Sequence, residues 1–154
     1  MATRFSTLEI LYKKLYTENP TGQIFLEEYL TELCIIIEEV FKTDKQISIF
    51  VNAPLKVSGE VAKVLGFITN EVVTNSFKHA FTNRRIGVIT IEVKKEGGDR
   101  YVLKITDNGK GINEAAKSNG RMTIIRDYAD VLNGNFLFLN KDGTEFNLSF
   151  PLKN

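Results

Sequence analysis

The chain predicts an α+β fold, a two-layer α/β sandwich whose mixed, mostly antiparallel sheet carries its helices on one face. Three observations predict it. The elements read in the order helix, helix, strand, helix, strand, strand, loop, helix, strand, strand. Two strand pairs are joined by tight turns, Gly97-Gly98-Asp99 and Lys141-Asp142-Gly143, and neighbours joined so closely pair antiparallel. The long helices each show an apolar stripe, which gives each one face to bury against a sheet.

The elements follow from local pattern. Phe5, Leu8, Leu11, Tyr12 and Leu15 recur at helical spacing over residues 5–16, and Pro20 and Gly22 stop the run. A second helix is expected from Phe25 to about Phe41, with Leu26, Tyr29, Leu30, Leu33, Ile36, Ile37 and Val40 on one side. Gln46–Val51 (QISIFV) favours a strand. Ser58 is the expected N-cap of a long helix reaching about Ala80, although Val61 stands where a capping box would place Glu or Gln. Ile86–Lys95 and Arg100–Thr106 alternate as strands. After a glycine-rich loop, 122–132 reads as a helix ended by Asn133-Gly134, and 135–140 and 145–150 as a closing hairpin. The stretch TENPTG is the one seam, dividing an N-terminal helix (1–19) from a compact body (23–154).

Composition limits the function classes. The 154 residues suit one domain with a core of its own, at 43% hydrophobic and 25% charged. Lys and Arg number 20 against 19 Asp and Glu, a net charge of +1, so no electrostatic case arises for nucleic acid or an anionic membrane. Cys34 is the single cysteine, set in the apolar run LCIII, and reads as a small buried hydrophobe. No apolar run approaches the ~20 residues that span a bilayer, and the start lacks a signal-peptide core. A soluble, cytoplasmic chain is the expectation.

Four stretches are candidates for chemistry. On the long helix, at 100° per residue, Val61, Leu65, Ile68 and Val72 form the core stripe, and Glu71, Asn75 and Lys78 a polar stripe beside it. That stripe is either a solvated face or one wall of a cleft; His79 projects close to the apolar side. The string DNGKGI (107–112) follows a strand: Asp107 is an acceptor-only carboxylate at the strand end, and Asn108, Gly109 and Gly111 permit a tight turn. It is either a turn alone or a place where a flat ring or phosphate approaches the main chain. Gly120 precedes a helix, whose free N–H groups can receive an anion. Thr144, in DGTEF, offers a hydroxyl at a hairpin.

Taken together, E-x-x-x-N-x-x-K-H on a helix, D-x-G-x-G after a strand, Gly before a helix, and G-T-x-F near the end resemble the GHKL ATPase superfamily. NEVVTNSFKHAF and the short loop between Gly111 and Gly120 are similar to short-lidded, HWE-like sensor histidine kinases. The resemblance covers about 25–152, and RFSTLEILYKKLY looks like the end of the dimerisation helices that precede this domain in that group. It implies a Bergerat fold and the ATP-binding catalytic domain of a two-component histidine kinase, with ATP and Mg²⁺ bound. By resemblance Asn75 is the metal ligand and Glu71 the acidic residue that orients or activates the reacting group. Lys78 and His79 approach the phosphates, and Asp107 takes the adenine amine. Gly109 and Gly111 shape the pocket floor, Gly120 meets phosphate, and Thr144 supports Asp107 directly or through water. The chain's one histidine, His79, lies inside the site helix, so the phosphoacceptor histidine bundle and the response regulator are expected outside this segment, with homodimerisation through the missing helices. Two departures stand: Arg121 replaces a small apolar residue after Gly120, and Lys110 sits between the two glycines. The alternatives implied are a serine protein kinase of the anti-sigma-factor type and a nucleotide-binding docking module with degraded catalysis.

Overall fold

Alternation along three strands builds the inner face of the sheet. The computed structural model describes residues 9–11, 13, 22–41, 44–111 and 120–152. In β4 (Ile86–Gly97), Ile89, Ile91 and Val93 are buried; in β5 (Arg100–Asp107), Leu103 and Ile105; in β7 (Thr144–Pro151), Phe146, Leu148 and Phe150. Register brings these rows together: Ile91 faces Ile105, Val93 faces Leu103, and Ile105 in turn faces Phe146. Period-two side chains on one face of each strand therefore form one continuous apolar layer. With β2 (Gln46–Asn52) and β6 (Asn135–Asn140) the sheet has the order β2-β4-β5-β7-β6.

Three of its four pairings are antiparallel, and the parallel one, β2 with β4, results from a helical crossover. Between those strands the chain forms β3 (Lys56–Ser58) and the central helix α2 (Gly59–Asn75). β3 pairs antiparallel with β1 (Gln23–Phe25) in a separate two-stranded sheet that buries Ile24 against Val57. Neither short strand was expected: three residues cannot display an alternation long enough to separate strand from loop.

The helices cover the inner face. α1 (Leu26–Val40) buries Leu26, Tyr29, Leu30, Leu33, Cys34 and Ile37, whereas Val40, expected on the same side, is exposed at its last turn. Ser58 caps α2 as anticipated, its Oγ accepting the Val61 N–H at 3.3 Å. α2 is enclosed more completely than its stripe foretells, because Thr69, Asn70, Glu71 and Thr74 are buried alongside Leu65, Ile68 and Val72. α3 (Gly120–Val131) packs through Ile125 and Ala129, and Tyr128 stacks on Phe67 of α2 with ring centroids 5.0 Å apart. It ends where Asn133 turns at a φ of 55° and the Gly134 N–H returns to the Ala129 carbonyl. Most of the N-terminal helix expected over 1–19 lies outside the described residues; within it residues 9–11 and 13 are helical and Leu11 is buried. No helix among the described residues is long and apolar enough to cross a membrane.

Burial, followed by the nearby charge of Glu38, pushes the Cys34 thiol up to about 12. The native protein should therefore resist thiol reagents at pH 8 and become labelled only as urea unfolds it. Because the folded value lies above the unfolded one, the associated stability is fully present below about pH 8.5 and falls as pH rises toward 12. Rapid labelling of the native chain would contradict both expectations.

Candidate functional site

Asp107 is the last residue of β5 and the last in its inward row. Leu103 and Ile105 point under the helices, so strand periodicity sends the Asp107 carboxylate to the same side, where it is buried. A charge taken from water requires hydrogen-bond donors, and three separate segments supply them. Oδ1 accepts the N–H of Gly109 at 2.9 Å and that of Thr144 at 3.1 Å. Oδ2 accepts the hydroxyl of Ser76 at 2.8 Å. Support from Thr144 thus comes through its main-chain N–H.

The glycines let these segments converge. A Cβ on Gly143 would stand 2.0 Å from the Asp107 carbonyl oxygen, and the residue turns at a φ of 132°. A Cβ on Gly109 would stand 2.3 Å from the Ala80 carbonyl, which accepts the Lys110 N–H at 2.9 Å. Asn108 ties the loop back to the sheet: its N–H reaches the Val88 carbonyl at 3.2 Å and its Oδ1 accepts the Val88 N–H at 2.8 Å. Arg84 donates to the Asn108 carbonyl. Around this loop a cleft of about 520 Å³ opens, bounded by Arg84, Asn108, Gly109, Lys110, Gly111, Asn140, Asp142 and Gly143.

The helix carrying the other candidates does not run uniformly to Ala80. α2 stops at Asn75 and the chain widens into one π-helical turn, Ser76–Ala80. Such turns break the 3.6-residue period, so residues on either side no longer share one stripe. Glu71 is buried and Asn75 half-buried on the regular helix, while Lys78 and His79 are exposed on the wide turn. The Lys78 ammonium stands 5.8 Å from the Phe41 ring centroid, and Phe41 stacks on Phe77 at 6.1 Å.

The structure therefore brings Asp107, Gly109, Gly111 and Thr144 into one cluster and ties it to the end of α2 through Ser76, the residue after Asn75. Gly120 is the first residue of α3, where the sequence places it before a helix. Ser76, Arg84 and Asn140 were missed, and Asn108 was read only as a turn residue, not as the tie to Val88. Ser76 left one signal, a hydroxyl one position from Asn75 on the side turned toward the core. No group of three or more His, Cys, Asp or Glu side chains suited to a metal occurs among the described residues. Glu71 and Asn75 offer oxygen donors one helical turn apart, a partial set of the kind that suits a hydrated hard cation sharing phosphate oxygens.

Comparison with known proteins gives a consistent pattern. The family model described as histidine kinase-, DNA gyrase B-, and HSP90-like ATPase matches residues 60–154. Blue-light-activated histidine kinase 2 of Erythrobacter litoralis is 28% identical over 121 residues, covering 74% of this chain and 34% of that protein. An anti-sigma F factor of Clostridium botulinum is 48% identical over 48 residues, 31% of this chain and 33% of its own length. The chain thus spans about a third of the curated relatives it matches. Among solved structures, the histidine kinase domain of the Erythrobacter litoralis EL346 blue-light-activated kinase superposes with a TM-score of 0.85 at 24% identity, over 97% of this chain and 74% of that one.

Gly143→Ala should destabilise the protein by about 3 kcal/mol, since it adds a main-chain collision to an unfavourable backbone conformation. Gly98→Ala, at a φ of 54° with open space around its Cβ position, should cost only about 1 kcal/mol. Urea-unfolding midpoints of the two variants read the difference; equal shifts would show that Gly143 does not hold the Asp107 junction.

Proposed function

Because the chain belongs to the histidine kinase-, DNA gyrase B- and HSP90-like ATPase family, we propose that it is the ATP-binding catalytic domain of a sensor histidine kinase, which transfers the γ-phosphoryl group of Mg-ATP to a histidine outside this segment. The observation that carries the reading is the Asp107 carboxylate, buried and held by three donors, with Ser76 linking it to the helix end that bears Asn75. An adenine amine donates to Asp107, and the ring lies against the main chain of Gly109 and Gly111. The triphosphate runs toward Asn75, Lys78 and His79, and the helix N-terminus at Gly120 offers a further anion contact.

Asn75 and Glu71 are the residues that would hold Mg²⁺, a cation that neutralises phosphate charge. Glu71, buried on the same helix, is the group we assign to orient or activate the acceptor. Lys78 reaches phosphate by leaving the Phe41 ring, a contact worth only about 0.5–1 kcal/mol at an exposed site. Phosphoryl transfer depends chiefly on positioning and charge neutralisation, so a domain of this kind needs an acceptor brought to its phosphate end. We assign that acceptor to a helix bundle, with a response regulator as the onward partner, a homodimer as the assembled kinase and the cytoplasm as its place.

A second reading rests on the similarity to the anti-sigma F factor: a protein kinase acting on serine in a separate partner. Product chemistry separates the two. Phosphohistidine is lost in acid, whereas phosphoserine survives; ATP binding without transfer to either acceptor would identify a docking module instead.

Calorimetry with ADP or a nonhydrolysable ATP analogue should show binding that strengthens with Mg²⁺. Asp107→Asn should weaken it at least about 100-fold, by removing a charged acceptor and presenting an amide donor to the amine. Asn75→Ala should weaken binding about tenfold with Mg²⁺ and little in EDTA. No nucleotide binding at millimolar concentration would end the proposal.

A further inference from the structure

The donors around Asp107 leave little freedom in what a ligand can offer it. An ionised carboxylate has about four lone-pair directions, two on each oxygen. On Oδ1 both are occupied, by the N–H groups of Gly109 and Thr144. On Oδ2 one is occupied, by the Ser76 hydroxyl at 2.8 Å. One direction remains, and only a hydrogen-bond donor satisfies it.

Ser76 is the adjustable member of this set. Main-chain N–H groups at Gly109 and Thr144 persist in any side-chain variant, but the contact on Oδ2 depends on one rotatable hydroxyl. That hydroxyl has a competing acceptor, the Val72 carbonyl at 3.4 Å, one turn back on its own helix. The charged acceptor is the nearer and the stronger, so the proton points to Asp107. Its bond, with the two amides on Oδ1, holds the carboxylate from a third side and leaves the remaining lone pair of Oδ2 for a ligand donor. Ser76 itself is buried, so water does not readily replace it.

We propose that Ser76 is a positioning and specificity residue: its hydroxyl fixes the Asp107 carboxylate so that the site accepts a 6-amino purine and rejects a 6-oxo purine. The inference rests on the nucleotide reading above and assigns to it a selectivity element outside the residues that touch phosphate. A 6-amino group donates to the remaining lone pair. A 6-oxo group sets oxygen against oxygen, and relief by turning the Ser76 proton toward the ligand strips Oδ2 of its donor. Either arrangement leaves buried polar groups unsatisfied, the situation that gives hydrogen-bonding sites their strongest discrimination.

The test is the ratio of dissociation constants for inosine triphosphate and ATP, measured with Mg²⁺ on the whole chain, with the melting temperature recorded beside it. Ser76→Ala should weaken ATP about tenfold, leave the inosine nucleotide within about twofold, and so lower the ratio about fivefold or more. Ser76→Cys keeps the shape with a weak donor and should fall between; it also serves if the alanine variant does not fold. Ser76→Thr restores the hydroxyl and should restore the ratio. A ratio unmoved in the alanine and cysteine variants, with ATP still bound, overturns the assignment even if both melt lower, since a purely structural serine would do that. Failure of the unsubstituted chain to bind ATP overturns the nucleotide reading itself, and this inference with it.

Discussion

A carboxylate placed under a helix layer has to be answered by donors, and that demand organises the site end of this molecule. Asp107 lies at the end of the same inward row that supplies Leu103 and Ile105 to the core. Left unsatisfied there, it would cost several kcal/mol. Its three donors come from the loop that follows β5, from the first residue of β7 and from the turn after α2. Segments distant in sequence are thereby drawn to one point, and the small residues among them are those that make close approach feasible. Gly143 must pass the Asp107 carbonyl, and Gly109 must pass Ala80.

The π turn is the companion feature. It lies between a buried, regular helix and an exposed loop, and its two faces do different things. Ser76 and Ala80 face inward, the first bonded to Asp107 and the second accepting from Lys110. Lys78 and His79 face solvent. One wide turn is thus fastened to the carboxylate loop at both ends while it presents cationic and imidazole groups outward. Base recognition and phosphate contact, on the reading advanced above, are joined through five residues of backbone. A change that loosened the loop would be felt at the phosphate end without a change in any phosphate ligand.

Much of this was legible in the sequence, for identifiable reasons. Long elements with a sustained period, such as α1, β4, β5 and β7, declared themselves because each buries one face. Ser58 was readable as a cap because a hydroxyl before a helical run has one obvious donor to satisfy. What was illegible depends on tertiary pairing. β1 and β3 are strands because they find each other. The π turn has no signature in a string that reads as continuous helix, so the expectation that Glu71, Asn75 and Lys78 form one stripe fails at its last member. Ser76 escaped notice because its importance lies in what it faces. The site motifs were recognisable by resemblance as an ordered set, since each alone was compatible with a plain turn or a wet face.

The described residues also show why one scaffold can resemble proteins with different names. On the reading advanced above, the polar groups gathered here, an acceptor for a donor-bearing ring and oxygen donors too few to cage a cation, hold a nucleotide and its metal as a unit. No feature of that cluster specifies which side chain receives a phosphoryl group; reaction chemistry of this type asks only that an acceptor be brought into line. A histidine kinase and an anti-sigma factor both align with part of this chain, and a nucleotide site of the kind proposed above is compatible with either. On the kinase reading, the identity of the acceptor is set by whatever surface docks against the phosphate end, and a fold by itself does not fix it.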